Sequence, residues 1–248
     1  MPRFFVSTEQ IENDKIVITG EDAHHISRSL RMAVGEKITV SDMNNNEYMC
    51  ILEKFNENSV VAKIEEHNAS IVESPVKVHL FQALPKGEKL DFIIQKSVEC
   101  GVYDITPFES DRCVVKVKND AEDRKTERRC KIALEAAKQC GRGIVPTVNR
   151  TVSFTEMISR AEDSDLVLFC YEGDGTESIG TVLKKERQQR DIRDISIIIG
   201  SEGGFSDKEA AIARERGHKM IGLGKRILRA ETAAIFALTC LVYEFELS

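Results

Sequence analysis

No stretch of about 18 consecutive apolar residues, the length a membrane-spanning helix needs, occurs in this 248-residue sequence. The N-terminal segment MPRFFVSTEQ has no apolar core followed by a small-residue cleavage site, so it predicts no secretion signal. Positive charge is not in excess either. The formal net charge of −6 argues against a general polyanion binder and leaves nucleic-acid binding to a local basic patch.

Paired cysteines are also absent. The seven cysteines are scattered and form no C-x-x-C pair, which argues against a disulfide framework or a zinc site and favours reduced thiols. Hydrophobic residues make up 42% of the chain and charged residues 31%, as in ordinary globular proteins. We therefore expect a cytoplasmic protein without a metal site or a membrane partner.

The predicted secondary-structure pattern of the chain changes near residue 73. The first seventy residues consist mainly of short segments rich in β-formers, and a polar stretch at 66–75 follows them. From Val76 onward, strand and helix patterns alternate, which predicts an α/β fold with a parallel sheet. Gly101 is expected to cap a helix C-terminus, and Ser206 with Glu209 forms the pattern of an N-terminal capping box. The predicted domains are 1–72 and 73–248.

Three glycine-containing turns follow predicted strands, at 169–175, 199–205 and 223–232. Ligands bind at the carboxyl ends of parallel strands, and glycine lets a ligand approach the backbone closely. A phosphate-binding loop fits poorly, because the sequence has no G-x-x-x-x-G-K-[ST] motif and Glu202 would repel a phosphate. The turns instead suit a neutral or cationic ligand, such as a nucleoside that carries a sulfonium.

Two of these turns carry a family resemblance. IIIGSEGGFSDKE followed by LGKRILRAETAAIFAL resembles the paired signature of SPOUT methyltransferases, and more narrowly the RsmE family of 16S ribosomal RNA (uracil-N3) methyltransferases. EDAHHISRSLRMAVGE, FQALPKGEKLDFIIQKSVECGV and EAAKQCGRGIVPTV resemble further blocks of that family. The chain departs from the family at Ser201, where proline is common, and at Ala230, where threonine is common.

The resemblance implies a fold, a cofactor and partners. It implies a C-terminal SPOUT domain with a trefoil knot, a PUA-like RNA-binding β-barrel at the N-terminus, and a homodimer whose closing helix packs across the interface. It also implies S-adenosylmethionine as methyl donor and ribosomal RNA or the small ribosomal subunit as substrate. The implied cofactor residues are Leu168, Cys170, Tyr171, Glu172, Ile199, Gly200, Ser201, Glu202, Gly203, Gly204, Leu223, Gly224, Ile227, Leu228, Thr232 and Ala233. Core packing is the alternative for Leu223, Ile227 and Leu228.

Methyl transfer to uracil N3 requires that the N3 proton leave and that the reacting atoms be held in line. We assign Arg229 to the negative charge that develops on the uracil carbonyls. Glu202 or Glu231 would accept the proton or face the sulfonium, and an ordinary salt bridge is the alternative for each. The predicted RNA contacts are Arg3, Arg28, Arg31, Lys86 and Arg142. Among them Arg142 is preferred, because it lies in a glycine turn.

Two other functions stay open at this point. One is a non-catalytic RNA-binding dimer, although such a scaffold would need neither Arg229 nor Glu202. The other is a SPOUT methyltransferase that acts on another RNA position, such as a tRNA ribose 2′-hydroxyl, where no N3 proton has to leave.

Overall fold

The computed structural model describes residues 1–69, 72–116 and 119–248, and contacts divide the chain into two compact units. The first unit is Met1–Glu73 with Ala137–Val145, and the second is Ser74–Ala136 with Pro146–Ser248. Residues 137–145 thus group with the first unit, although the predicted division at residue 72 assigns them to the second domain. Of the predicted polar stretch 66–75, Ser70 and Ile71 lie outside the described residues.

Side chains fix the segment 137–145 within the first unit. Lys138 Nζ lies 2.9 Å from Asp22 Oδ1, and Ser41 Oγ donates a hydrogen bond of 2.8 Å to the Gly143 carbonyl. Both contacts join residues more than a hundred positions apart. Local sequence patterns carry no information on contacts of this range, which is why the sequence placed this segment differently.

The first unit contains a six-stranded sheet and a short helix. Its elements are β1 (Arg3–Phe5), β2 (Ile11–Glu12), β3 (Lys15–Thr19), α1 (Gly20–His24), β4 (Lys37–Ser41), β5 (Asn46–Phe55) and β6 (Ser59–Ala69). The strand order is β1-β4-β5-β6-β3-β2; β1 and β4 are parallel, and the other neighbours are antiparallel. Two register shifts between β5 and β6 increase the local twist, so this sheet curls around its core. Ile16, Ile38 and Leu52 are among the fully buried side chains of that core.

The second unit is built on a parallel sheet with helices between its strands. Its elements are β7 (Lys77–Ala83), α2 (Lys89–Glu99), β8 (Asp104–Glu109), α3 (Asn119–Cys140, which ends in the first unit), β9 (Thr147–Val148), β10 (Val152–Ser153), α4 (Phe154–Ala161), β11 (Leu166–Cys170), β12 (Glu177–Ser178), α5 (Ile179–Gln189), β13 (Asp194–Ile199), α6 (Asp207–Glu215), β14 (Lys219–Gly222) and α7 (Ala230–Val242). The strand order is β10-β8-β7-β13-β11-β14-β12, with β9 beside β8, and every pairing is parallel. The predicted α/β fold with a parallel sheet is confirmed.

Local signals set the ends of two helices as expected. At the start of α6, Ser206 Oγ accepts from the Glu209 N–H and Glu209 Oε2 accepts from the Ser206 N–H, which completes the capping box. At the end of α2, Gly101 has a φ of +82°, the left-handed conformation that glycine adopts without steric cost.

The strand order brings three chain reversals to one edge of the sheet. β11 lies between β13 and β14, so the carboxyl ends of these three parallel strands are neighbours. The turns predicted to bind a ligand follow these same three strands. After the last turn the chain enters α7, which packs against α2, β7 and β13. Among the described residues no helix has both the length and the apolar character needed to cross a bilayer.

Candidate functional site

The three turns enclose a cavity of about 630 Å³. This volume lies within the roughly 300–1,000 Å³ that small-molecule and cofactor sites occupy. All of the predicted cofactor residues except Leu168 and Thr232 line it, namely Cys170, Tyr171, Glu172, Ile199, Gly200, Ser201, Glu202, Gly203, Gly204, Leu223, Gly224, Ile227, Leu228 and Ala233. Arg229, predicted as catalytic, lines it as well.

Two predicted cofactor residues lie elsewhere. Leu168 is fully buried in β11, where its neighbours in register are Ile197 of β13 and Lys219 of β14, so it belongs to the sheet core. Thr232 is exposed on α7 and does not line the cavity. Core packing, the alternative for three apolar residues, does not hold for Ile227, which is 85% exposed.

Nine further residues line the cavity. Gly173, Phe205, Lys225, Arg226 and Ala230 lie within the three predicted turns but were not singled out as cofactor residues, whereas Arg112, Thr176, Ile221 and Gly222 lie outside those turns and were missed. Arg112 belongs to the loop after β8, far in sequence from the glycine turns. Phe205 is buried, and its ring centroid lies 4.2 Å from that of Phe169. Phe205 directly follows Gly203 and Gly204, and this pattern could have predicted an apolar wall beneath the turn.

The glycines of the cavity serve two purposes. At Gly200 a Cβ atom would lie 3.1 Å from Phe205 Cε2 and 3.2 Å from Gly204 Cα, so its lack of a side chain lets the turn fold back on itself. Gly204 and Gly224 have φ values of +65° and +113°, and a Cβ on either would meet no other atom of the described residues within 4 Å. These two positions therefore present backbone to open space, which is the cradle that a ligand of this cavity would use.

Glu202 is held by the start of α2 and the residues before it. Its Oε1 accepts from the Lys86 N–H at 3.1 Å and from Lys89 Nζ at 2.8 Å. Burial by itself raises the pKa of Glu202, but the Lys89 hydrogen bond, the backbone N–H groups of Glu202 and Lys86, and the Lys89 charge together bring this pKa below its ordinary value. Glu202 is therefore ionised at neutral pH and a weak proton acceptor.

The three predicted catalytic residues gather around Lys89. Glu231 Oε2 lies 3.7 Å from Lys89 Nζ and has no hydrogen-bond partner within the described part of the chain. Arg229 is exposed and immediately precedes α7. The Glu202 hydrogen bond raises the pKa of Lys89 above its ordinary value, and the positive charge of Arg229 opposes this rise. Glu231 itself does not line the cavity.

The predicted RNA contacts differ in accessibility. Arg28, Arg31 and Lys86 are exposed, whereas Arg3 Nη2 lies 2.8 Å from Glu47 Oε2. Arg142 is only 5% exposed, and its guanidinium donates to the Glu73 carboxylate. The preference for Arg142 as a phosphate contact is therefore not supported, because its charge is neutralised inside the fold.

The described ranges 1–69, 72–116 and 119–248 contain no group of three or more His, Cys, Asp or Glu side chains that could hold a metal ion.

Comparison with known families gives two matches along the chain. A family model described as "RNA methyltransferase domain" matches residues 72–242, and one described as "RNA methyltransferase PUA domain" matches residues 18–65. The first contains every residue that lines the cavity.

Individual proteins are similar over nearly the whole chain. "Ribosomal RNA small subunit methyltransferase E" of Bacillus subtilis is 35% identical over 100% of this chain and 98% of its own length. The crystal structure of a protein of the same name from Neisseria gonorrhoeae, bound to S-adenosyl methionine, is 27% identical, with a TM-score of 0.83 over 98% of this chain and 97% of that chain. A putative methyltransferase from Legionella pneumophila, in complex with the bound cofactor SAM, is 31% identical, with a TM-score of 0.80 over 97% of this chain and 96% of that one.

Proposed function

Because the chain belongs to the ribosomal RNA small subunit methyltransferase E family, we propose that it transfers a methyl group from S-adenosylmethionine to N3 of a uracil in 16S ribosomal RNA. The observation that carries this proposal is the cavity formed by the turns after β11, β13 and β14. Both solved relatives described above contain S-adenosylmethionine. Neither the non-catalytic dimer nor the ribose methyltransferase is favoured by these similarities.

The residues of the cavity fit this cofactor. Gly204 and Gly224 offer open backbone, Leu223 and Leu228 offer apolar walls for an adenine, and Glu172 offers a carboxylate that tolerates a cation. When bound, S-adenosylmethionine supplies an electrophilic methyl group on a positively charged sulfur.

The protein's own task is to hold the uracil in line and to favour its deprotonated form. Arg229 stabilises the negative charge on the uracil carbonyls, since its guanidinium presents planar donors. Glu202 keeps the segment that begins α2 against the turn after β13, and Lys89 and Lys86 occupy one of its carboxylate oxygens. Glu202 and Glu231 are the two candidates for the proton acceptor. Glu231 Oε2 makes no hydrogen bond within the described residues, but it lies 3.7 Å from Lys89 Nζ and Glu231 does not line the cavity.

The assembly and the chain path extend the same proposal. The N-terminal domain 1–72 binds RNA as a PUA-like barrel, the domain 73–248 is a knotted SPOUT domain, and the protein works in the cytoplasm on the small subunit or its RNA. A homodimer forms through α7 and the residues after it. Its support is a row of exposed apolar side chains there: Phe236 is 40% exposed, Tyr243 63% and Leu247 72%.

The decisive experiment compares ribosomal RNA nucleosides from cells with and without this protein by mass spectrometry. We expect 3-methyluridine in 16S RNA to disappear in the deletion strain and to return when the gene is restored. Unchanged 3-methyluridine in the deletion strain would refute the assignment. Calorimetric titration of the purified protein with S-adenosylmethionine separately tests the cofactor.

A further inference from the structure

One arginine reaches the rim of the cavity from outside the three turns. Arg112 follows β8, which β7 separates from β13 in the sheet. Its side chain is exposed and lines the cavity, and its Nη1 donates a hydrogen bond of 3.0 Å to the Gly203 carbonyl. The guanidinium is therefore held at the mouth of the cavity by the turn after β13.

The loop that carries Arg112 is fixed by the start of α6. The N–H of Asp111 donates to Glu209 Oε1 at 2.8 Å, and Ser206 Oγ donates to Asp111 Oδ2 at 2.6 Å. Cys113, the next residue of the loop, is buried. Because the backbone is already held on both sides of Arg112, the loop would lose little conformational entropy when this arginine binds a ligand.

Gly203 makes room for this arrangement. A Cβ built on Gly203 would lie 3.1 Å from the Cβ of Arg112 and 3.6 Å from its Cδ. A side chain at position 203 would therefore crowd Arg112, which would have to shift by a few tenths of an ångström. Gly203, which the sequence suggests as a point of close ligand approach, instead makes room for the Arg112 side chain.

The charge of Arg112 is not neutralised within the described residues, among which it forms no ion pair. Two carboxylates of its loop region, those of Asp111 and Glu209, accept hydrogen bonds from uncharged donors. A guanidinium carries five N–H donors in a fixed fork, and Gly203 takes one of them. The others can bind an anion such as a phosphate in the bidentate manner that arginine favours.

We propose that Arg112 binds a backbone phosphate of the substrate RNA beside the target nucleotide and so positions that nucleotide over the cavity. This inference rests on the proposed methylation of ribosomal RNA. The carboxylate of the methyl donor is the competing anion. RNA is favoured because Arg112 is exposed at the rim and belongs to the loop after β8, a strand outside the three whose turns enclose the cavity.

The test uses the full chain with the substitutions Arg112→Ala and Arg112→Lys. Arg160→Ala is the matched control, because Arg160 is an exposed arginine on α4 that does not line the cavity and pairs with Glu156 of its own helix. For each protein, calorimetry gives the Kd for S-adenosylmethionine, and methylation of 16S RNA at several salt concentrations gives the KM and kcat for RNA. The melting temperature without ligand shows whether each variant is folded.

For Arg112→Ala we expect the KM for RNA to rise roughly 10- to 100-fold, as for loss of a hydrogen bond to a charged group. We also expect the slope of log KM against log salt to fall by about 0.7–0.9, the release of one counterion. Arg112→Lys should keep most of the salt slope and only part of the affinity, since lysine keeps the charge but not the fork. The Kd for S-adenosylmethionine and the behaviour of Arg160→Ala should match the wild type.

Two results would overturn the inference while leaving the proposed function intact. One is an Arg112→Ala protein that methylates RNA with wild-type KM and salt slope. The other is a loss of affinity for S-adenosylmethionine as large as the rise in KM, which would assign Arg112 to the methyl donor. If the wild type itself binds S-adenosylmethionine and methylates no ribosomal RNA, the proposed function fails instead.

Discussion

Substituting Gly200 by alanine tests whether the closed shape of the turn after β13 creates the cofactor site. The added Cβ would lie 3.1 Å from Phe205 Cε2, 3.2 Å from Gly204 Cα and 3.3 Å from Gly204 C. Two of these three atoms are backbone, so a rotamer change cannot relieve the contact and the turn itself has to open. Gly204, which presents open backbone to the cavity, would move with it.

The expected cost combines stability and binding. Overpacking of this kind costs about 1–3 kcal/mol, which a protein with about 5–15 kcal/mol of stability survives. The same displacement should weaken S-adenosylmethionine binding at least tenfold, or about 1.4 kcal/mol. Urea denaturation measures the first quantity and calorimetric titration the second.

Gly180→Ala is the matched control. Gly180 lies in α5, where an added Cβ would meet no atom of the described part of the chain within 4 Å. Alanine should therefore stabilise the protein by up to about 1 kcal/mol and leave binding unchanged. A Gly200→Ala protein that binds S-adenosylmethionine with the wild-type Kd would refute the link between turn closure and the site.

Three further outcomes are expected. Arg229→Ala should abolish turnover while sparing the calorimetric Kd for S-adenosylmethionine, and normal turnover would remove Arg229 from the mechanism. Phe236→Asp should convert the dimer to monomers in light scattering, and an unchanged mass would place the interface elsewhere. Burial lowers the pKa of His79, but its hydrogen bonds to Asp104 at 2.8 Å and Asp194 at 3.3 Å, and the charges of both, raise it overall. The stability that this pairing contributes is fully present below about pH 6.5 and is lost as the pH rises through the raised pKa. The urea midpoint of His79→Gln should therefore fall less over this pH range than that of the wild type. A pH profile identical to that of the wild type would refute the pairing.

The sequence predicts those parts of the fold that depend on neighbouring residues. Ser206 and Glu209 predict the start of α6, and continuous apolar runs predict β11 and β13. The meeting of the three glycine turns follows from one general rule, that parallel strands end at a common edge. These features needed no knowledge of distant contacts.

What the sequence does not predict depends on side chains brought from far away. Arg112 reaches the cavity across β7, and no local pattern distinguishes it from a solvated arginine. Arg142 lies in a turn that suggests exposure, yet it is buried and its charge is paired with the Glu73 carboxylate. Thr232 lies close in sequence to lining residues, but the start of α7 turns it to solvent.

The cavity walls come from segments that end near residues 176, 205 and 233, so no partial chain contains them all until its last helix is made. Binding of a ligand in the cavity therefore requires that the whole second unit has been synthesised and folded. A donor present at a hundred times its Kd would add about 2.7 kcal/mol to the stability of the finished chain and nothing to a truncated one. In a cell, a larger supply of the methyl donor would then raise the stability of the folded enzyme as well as its rate of turnover.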